Sequence, residues 1–410
     1  MNEPGISVVV RRMALSGLCA SLIGIGLSRF AFTPLLPELI AEHWFPASSA
    51  AYLGAANLAG YLAGASLARP VTARVAPIFL LRVMMVTASG AFFACAVPLS
   101  FSWFFLWRFL SGLSGGVIMV LVAPTILPHV PPSRRGLVAG VLFVGVGVGI
   151  VASGTLVPAM LPWGLARTWQ GLGSVALLLS IVAWNGWPED GAKAIPSPPG
   201  DRRRKRKFRN PVLTALFFEY ALDAAGIVTH VIFFVDFIAR GLERGLRTGA
   251  EYWVLFGLAA VVGPLATGHL ADRIGFRVAL RLGFLLQFTA VGLLVVTATP
   301  VALAISGIIV GAFVPGIVPL VFGRMQELTA GEPQRQKTVW GVCATAFALG
   351  QAGAAYGLSY IFARTGGAYV PLFAAGAGAL LLAFLIDMAV NALSARRGDF
   401  RAASVPDKAL

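Results

Sequence analysis

Charge is scarce in this 410-residue chain: 12% of its residues are Asp, Glu, Lys or Arg, against about 25% in a soluble domain. Acidic groups are the scarcest, 17 beside 32 cations, and lysine supplies only five of those cations. Three cysteines, Cys19, Cys95 and Cys343, lie singly in apolar stretches with no CxxC pair. That spacing excludes a disulfide framework and a thiolate zinc site, and leaves small apolar packing units. The four histidines, His43, His129, His230 and His269, show neither HxxH nor HExxH spacing, so no metal site is expected. None of Lys193, Lys205, Lys207, Lys337 and Lys408 follows a glycine, so the phosphate-cradling GxxxxGK(S/T) loop is absent. A GxGxG run at Gly145, Gly147 and Gly149 lacks the preceding strand that a dinucleotide site needs. The expectation is a non-enzyme without cofactor or metal, in which any pumping runs on a gradient.

Apolar residues are what the chain has in excess, 58% of the total, with a mean hydropathy of +0.82. A membrane-crossing helix needs about 20 mostly apolar residues. Twelve such runs are present, at roughly 13–37, 48–68, 76–98, 102–127, 136–161 and 167–187, then roughly 211–238, 252–271, 277–298, 301–323, 338–362 and 369–391. The pattern predicts an all-α membrane protein of two six-helix halves, 1–187 and 211–410. Between them, 188–210 carries Pro188, Pro196, Pro198 and Pro199 followed by RRRKRKFR from Arg202 to Arg209. A basic cytoplasmic linker touching anionic lipid accounts for this run without nucleic acid.

The net charge of +15 sorts by loop. With a cytoplasmic N-terminus, about 25 of the cations fall in cytoplasmic loops and about five outside, which satisfies the positive-inside rule. The even span number puts both termini in the cytoplasm of a bacterial inner membrane. The halves also echo each other: Arg135, Gly136, Gly140 and Gly149 match Lys337, Thr338, Gly341 and Gly350, and Gly64, Arg69 and Arg74 match Gly268, Arg273 and Arg277. Internal duplication follows, the usual plan of secondary transporters with a site between repeats.

GHLADRIGFR, from Gly268 to Arg277, resembles the loop signature G-x-L-x-D-R-x-G-x-R of the major facilitator superfamily. RFLSGLSGG, with Arg108, Gly112 and Gly116, resembles that family's R-x-x-x-G-x-x-x-G pattern, and GIGLSRFAFTPLLPEL, from Gly24 to Leu39, resembles the first helix of its YbfB/YjiJ-type branch. The resemblance implies the major facilitator fold, twelve helices in two pseudo-repeats. It also implies a cytoplasmic gate at Gly268, Asp272, Arg273 and Arg277, in which charge-assisted bonds hold neighbouring helices until the gate opens. The first-half copy, GASLARPVTARV, has Ala68 in place of the aspartate. The fifth span lacks the Gly-Pro pair of the antiporter signature, so that motif does not support export.

Ionisable residues inside a bilayer cost at least about 2.5–3.5 kcal/mol each and need a reason to be there. In the first half these are Arg29 and Arg108, and the family links the latter to substrate binding or proton coupling. A guanidinium binds a carboxylate bidentately, so both are expected to bind substrate. In the seventh span Glu219, Asp223 and His230 fall within about 40° of one another on one helical face and are expected to carry the coupling proton. The expected function is proton-coupled secondary transport of a small organic solute, an anion such as a carboxylate, by a monomer whose other partners are protons and the lipid bilayer. An exporter of amphipathic or cationic compounds, a lipid flippase, and a membrane receptor that transports nothing stand as alternatives.

Overall fold

The computed structural model describes residues 8–131, 134–188, 210–330 and 332–396. The basic linker and the C-terminal tail lie outside these residues, apart from Pro188 and Asn210. Twelve long helices run in sequence. In the first half they are α1 (Val8–Ala41), α2 (Ala47–Thr72), α3 (Pro77–Cys95), α4 (Phe101–Ile126), α5 (Arg135–Met160) and α6 (Leu165–Ala183). In the second they are α7 (Pro211–Gly241), α8 (Gly245–Ile274), α9 (Phe276–Val296), α10 (Pro300–Leu328), α11 (Pro333–Arg364) and α12 (Val370–Arg396). There is no strand among the described residues. Ten of the helices are long and apolar enough to cross a membrane, and the chain is a multi-pass membrane protein. The other two, α2 and α11, are 26 and 32 residues long, diluted by Ala, Gly and polar side chains because they cross in protein rather than in lipid.

Local chemistry sets several boundaries. Asn210 caps α7, its Oδ1 accepting from Val212 N at 3.0 Å, with Pro211 in the first helical position. Ser100 and Thr299 cap α4 and α10 in the same way. The turn between α8 and α9 depends on Gly275, whose φ of 83° suits glycine.

The packing repeats with a period of six helices. In the first half α2 lies on α4, α3 on α4 and α6, and α1 on α5 and α6; in the second α8 lies on α10, α9 on α10 and α12, and α7 on α11 and α12. Small-residue contacts let the backbones meet. A Cβ on Gly112 would strike the carbonyl of Asn57, and one on Gly311 that of Phe256. The equivalent helices α1 and α7 both contain π-helical segments, Leu22–Leu27 in one and Thr229–Phe233 and Phe237–Gly241 in the other. Such segments break the regular ladder and recur at functional sites.

Twelve crossings return the chain to its starting side, so Val8 and Arg396 share one face, the terminal face. The halves meet through α5 on α8, α2 on α11 and α1 on α7. This last contact is uneven. Phe32–Ala41 packs on Thr229–Asp236, whereas Val8–Ser21 does not pack on Pro211–Val228. The groove between α1 and α7 is therefore closed at the distal face and open toward the terminal face.

Candidate functional site

Distal closure is made by named contacts across the halves. Thr33 Oγ1 donates to the carbonyl of Val231, and Trp253 Nε1 donates to Ser153 Oγ at 3.0 Å. Phe30 lies against Trp253, and Tyr52 against Tyr356 with ring centroids 6.2 Å apart.

Beneath this closure lie the two membrane-embedded arginines, in different situations. Arg108 Nη1 donates to the carbonyl of Ser28 at 2.8 Å, the residue that follows the π-helical segment of α1 and whose carbonyl also receives Asn57 Nδ2 at 3.4 Å. Its guanidinium sits 4.4 Å from the ring centre of Phe32. It borders a void without room for a water molecule, lined by Ala91, Phe92, Cys95, Ser111 and Trp169. Arg108 thus points into its own half and ties α4 to α1. The expectation that it binds substrate beside Arg29 finds no support in this placement, because its direct hydrogen bond goes to backbone freed by the helix break.

Arg29 is 9% exposed, and its Nε and Nη2 have no hydrogen-bond partner. Its guanidinium lies 5.2 Å from the ring centre of Phe30 and 5.7 Å from that of Tyr61 on α2, and no carboxylate pairs with it among the described residues. One turn separates it from Thr33, which puts it on the side of α1 that faces α7.

Glu219, Asp223 and His230 do share one side of α7, but that side turns into the second half, against α9, α10 and α12. Asp223 Oδ1 accepts from Gln287 Nε2 of α9 at 2.8 Å, leaving Asp223 Oδ2 and Gln287 Oε1 unpartnered. His230 Nε2 pairs with Ser306 Oγ of α10 at 2.8 Å, and Ser306 donates onward to the carbonyl of Ala290 at 2.6 Å. Nε2 is thus assigned the proton from the network. The ring is stacked on Phe234 and edged by Phe373, which fixes its orientation.

Toward the terminal face, Glu219 is 4% exposed and in electrostatic range of Asp387, Arg324 and Arg281. Arg281 Nε meets Asp387 Oδ2 at 2.6 Å, and Asn391 Nδ2 donates to Asp387 Oδ1 at 2.6 Å. Arg324 reaches Glu327 at 2.9 Å and Asn391 at 3.5 Å. This network joins α7, α9, α10 and α12, and sequence reasoning missed most of it. Arg281 and Arg324 read as orientation charges at helix ends; Asp387 and Gln287, inside long apolar runs, were the available signals.

The expected gate residues are arranged differently from the resemblance. Asp272 and Arg273 are exposed and neither makes an ion pair among the described residues. A Cβ on Gly268 would meet nothing within 4 Å. Arg277 is half-buried and in range of Arg281, Arg324 and Asp387, so it belongs to the charge network rather than to a latch. In this open-terminal arrangement the signature loop holds no neighbouring helix through Asp272 or Arg273.

Comparison with known proteins agrees with this architecture. The family described as "Uncharacterised MFS-type transporter YbfB" matches residues 21–388. The uncharacterized transporter YgaY of Escherichia coli O157:H7 is 28% identical over 163 residues, 40% of this chain, and its counterpart in strain K12 matches equally. The match spans 41% of the length of these relatives. Among solved structures, the nucleoside transporter NupG superposes with a TM-score of 0.74 at 13% identity, covering 94% of this chain and 100% of that one. A bacterial homolog of the human lysosomal transporter Spinster, in an inward-facing and unoccupied conformation, gives 0.67 at 14% identity over 98% of this chain and 100% of that one. At such identities the likeness shows the fold. With the family match spanning most of its length, the chain belongs to the MFS-type transporters of the YbfB family.

Proposed function

We propose that this transporter moves a small organic anion across the bacterial inner membrane by alternating access, as a monomer coupled to protons, with the terminal face cytoplasmic. The observation that carries the reading is Arg29: a buried guanidinium with two unpartnered nitrogens, on the side of α1 that faces α7. A charge so placed is costly, and a substrate carboxylate would compensate it while docked between the halves. The unpartnered Asp223 Oδ2 and Gln287 Oε1, two acceptors without a donor, support Asp223 as a proton carrier, because a proton supplies what both lack. Glu219, beside Arg281, Arg324 and Asp387, would take up or release a proton toward the terminal face, and the charges around it would then re-pair. His230, engaged with Ser306, would hold α7 to α10 rather than relay protons. Rocking of the halves would break the distal contacts, and the two gate residues free here, Asp272 and Arg273, would close the terminal face in the opposite state.

Cation export with Asp223 as the binding carboxylate is the weaker reading, since that group turns toward α9 and away from the first half. The deciding experiment is uptake into proteoliposomes under an imposed pH gradient, with a panel of carboxylates and a panel of lipophilic cations. Carboxylate movement that requires both the gradient and Arg29 supports the proposal. Movement of lipophilic cations alone removes it.

A further inference from the structure

A second buried polar group faces the middle of the molecule from the other half. Gln351 of α11 is 1% exposed, and both its Nε2 and its Oε1 lack partners. A carboxamide left so in a dry site loses both a donor and an acceptor interaction, a cost a folded protein seldom carries without a use.

The direction of the side chain follows from its own helix. Leu349 and Tyr360, 55% and 53% exposed, mark the outer face of α11; Gln351 stands about 200° from the first and about 180° from the second, and so points inward. The side chains flanking it on that inner face, Ala348, Ala352 and Ala355, are small and buried.

Its level follows from helix register. Tyr52 of α2 meets Tyr356, and Arg69 of α2 lies beside Gly341, so the antiparallel pairing sets Gln351 near the level of Asn57. Asn57 Nδ2 reaches the carbonyl of Ser28, the residue before Arg29. Gln351 and Arg29 therefore occupy one layer, on opposite halves. Aromatic rings stand close by: Tyr61 under Arg29, and Tyr220 packed on Phe347 at 4.6 Å and in electrostatic range of Tyr61.

We propose that Gln351 is the specificity-determining residue of the transport site: Arg29 holds one carboxylate from the first half, and Gln351 hydrogen-bonds a hydroxyl or amide of the same molecule from the second. This rests on the anion reading above and narrows it. Arg108 is occupied by Ser28, so one cation remains for substrate and the substrate carries one negative charge. A carboxamide offers a donor and an acceptor side by side, so its complement is a group that both accepts and donates. The substrate class is small hydroxy- or amido-monocarboxylates, and a few convergent polar groups among rings and small apolar side chains are the usual composition of such sites.

The test uses purified full-length protein in detergent and two matched probe pairs, lactate with propionate and succinamate with butyrate, titrated by thermal shift. In the wild type, at least one polar member is expected to bind about 10-fold or more tightly than its partner, the discrimination a polar site gains over an analogue that leaves it unpaired. Gln351→Met should level each pair while keeping the weaker member's affinity, and Arg29→Gln should remove binding of all four. Ligand-free Gln351→Met should melt at or above the wild-type temperature, since an unpaired amide is gone. Three results overturn the assignment of Gln351 while leaving the anion reading intact: no discrimination in the wild type, discrimination that survives Gln351→Met, or a clear fall in its ligand-free melting temperature. If none of the four probes binds, or binding is indifferent to Arg29→Gln, both readings fall.

Discussion

Gln287 holds Asp223 by a single 2.8 Å hydrogen bond, and the second oxygen of each side chain is buried without a partner. Replacement of Asp223 by Asn supplies a permanent N–H donor in nearly the same shape. Asp223→Asn is therefore expected to fold normally, with a melting temperature close to wild type. Proton-driven accumulation of substrate should fall by about 10-fold or more, since an essential proton carrier of this kind is worth at least that factor. Exchange of labelled for unlabelled substrate without a gradient should persist. Equal loss of exchange and accumulation would point to a binding or folding role instead.

Tyr52 and Tyr356 meet across the distal face, and that contact must open if substrate is to leave there. Tyr52→Cys with Tyr356→Cys should form a disulfide under mild oxidation. The three native cysteines are all buried, which limits competing pairs. Transport should stop on oxidation and return on reduction, with cross-linking read by mobility after proteolysis between the halves. Full activity of the cross-linked protein would mean that the distal contact does not move.

The close approach of α2 to α4 is set by backbone against backbone. A Cβ at position 112 would strike the Asn57 carbonyl, which no rotamer change relieves, whereas one at position 268 has open space. Gly112→Ala should cost about 1–3 kcal/mol, the usual range for overpacking, while Gly268→Ala should leave stability within about 0.5 kcal/mol. Denaturation of the two variants in one detergent makes the comparison. The result separates the two motif glycines, one required by packing and the other by neither packing nor turn geometry in this state.

Helix positions were legible because an apolar run about 20 residues long has few other fates. The helices extend past the runs where their ends leave the hydrocarbon layer, as α7 does to Gly241 and α8 does from Gly245. Helix facing was less legible. Spacing placed Glu219 and Asp223 on one side of α7, yet nothing in spacing says which neighbour that side meets, and it meets Gln287 rather than the first half. The π-helical segment at Thr229–Phe233 also shifts the phase, so a 100° step counted through it misplaces His230 relative to Asp223. Arg281 was obscured for another reason: a cation at a helix end serves orientation and ion pairing alike, and only the tertiary partner, Asp387, separates the two.

Arg281 and Asp387 provide a test of that pairing. Their side chains are 25% and 5% exposed, so the pair is partly screened on the arginine side. Arg281→Met strands a buried carboxylate beside Glu219 and should destabilise the protein by about 2–4 kcal/mol, somewhat below the range for a fully buried pair. Asp387→Leu strands the better-solvated partner and should cost less. The double substitution should recover much of the loss, because two apolar side chains leave no uncompensated charge. A double-mutant cycle by denaturation measures the coupling, and additive losses would show that the pair is not a unit.

The two embedded arginines separate a residue that holds the fold from one that strains it. Arg108 satisfies the Ser28 carbonyl and packs on Phe32, so Arg108→Met exposes backbone freed by the bend in α1. A loss of about 1–3 kcal/mol is expected, the cost of an unsatisfied buried acceptor. Arg29→Met removes two unpartnered nitrogens and a buried charge, and the remaining thioether fits between Phe30 and Tyr61. The ligand-free protein should therefore become more stable while anion transport is lost, the trade expected where a site is strained for its function. Opposite signs in the two melting shifts, measured without substrate, identify Arg29 as the group awaiting a ligand. Shifts of the same sign would make both arginines structural.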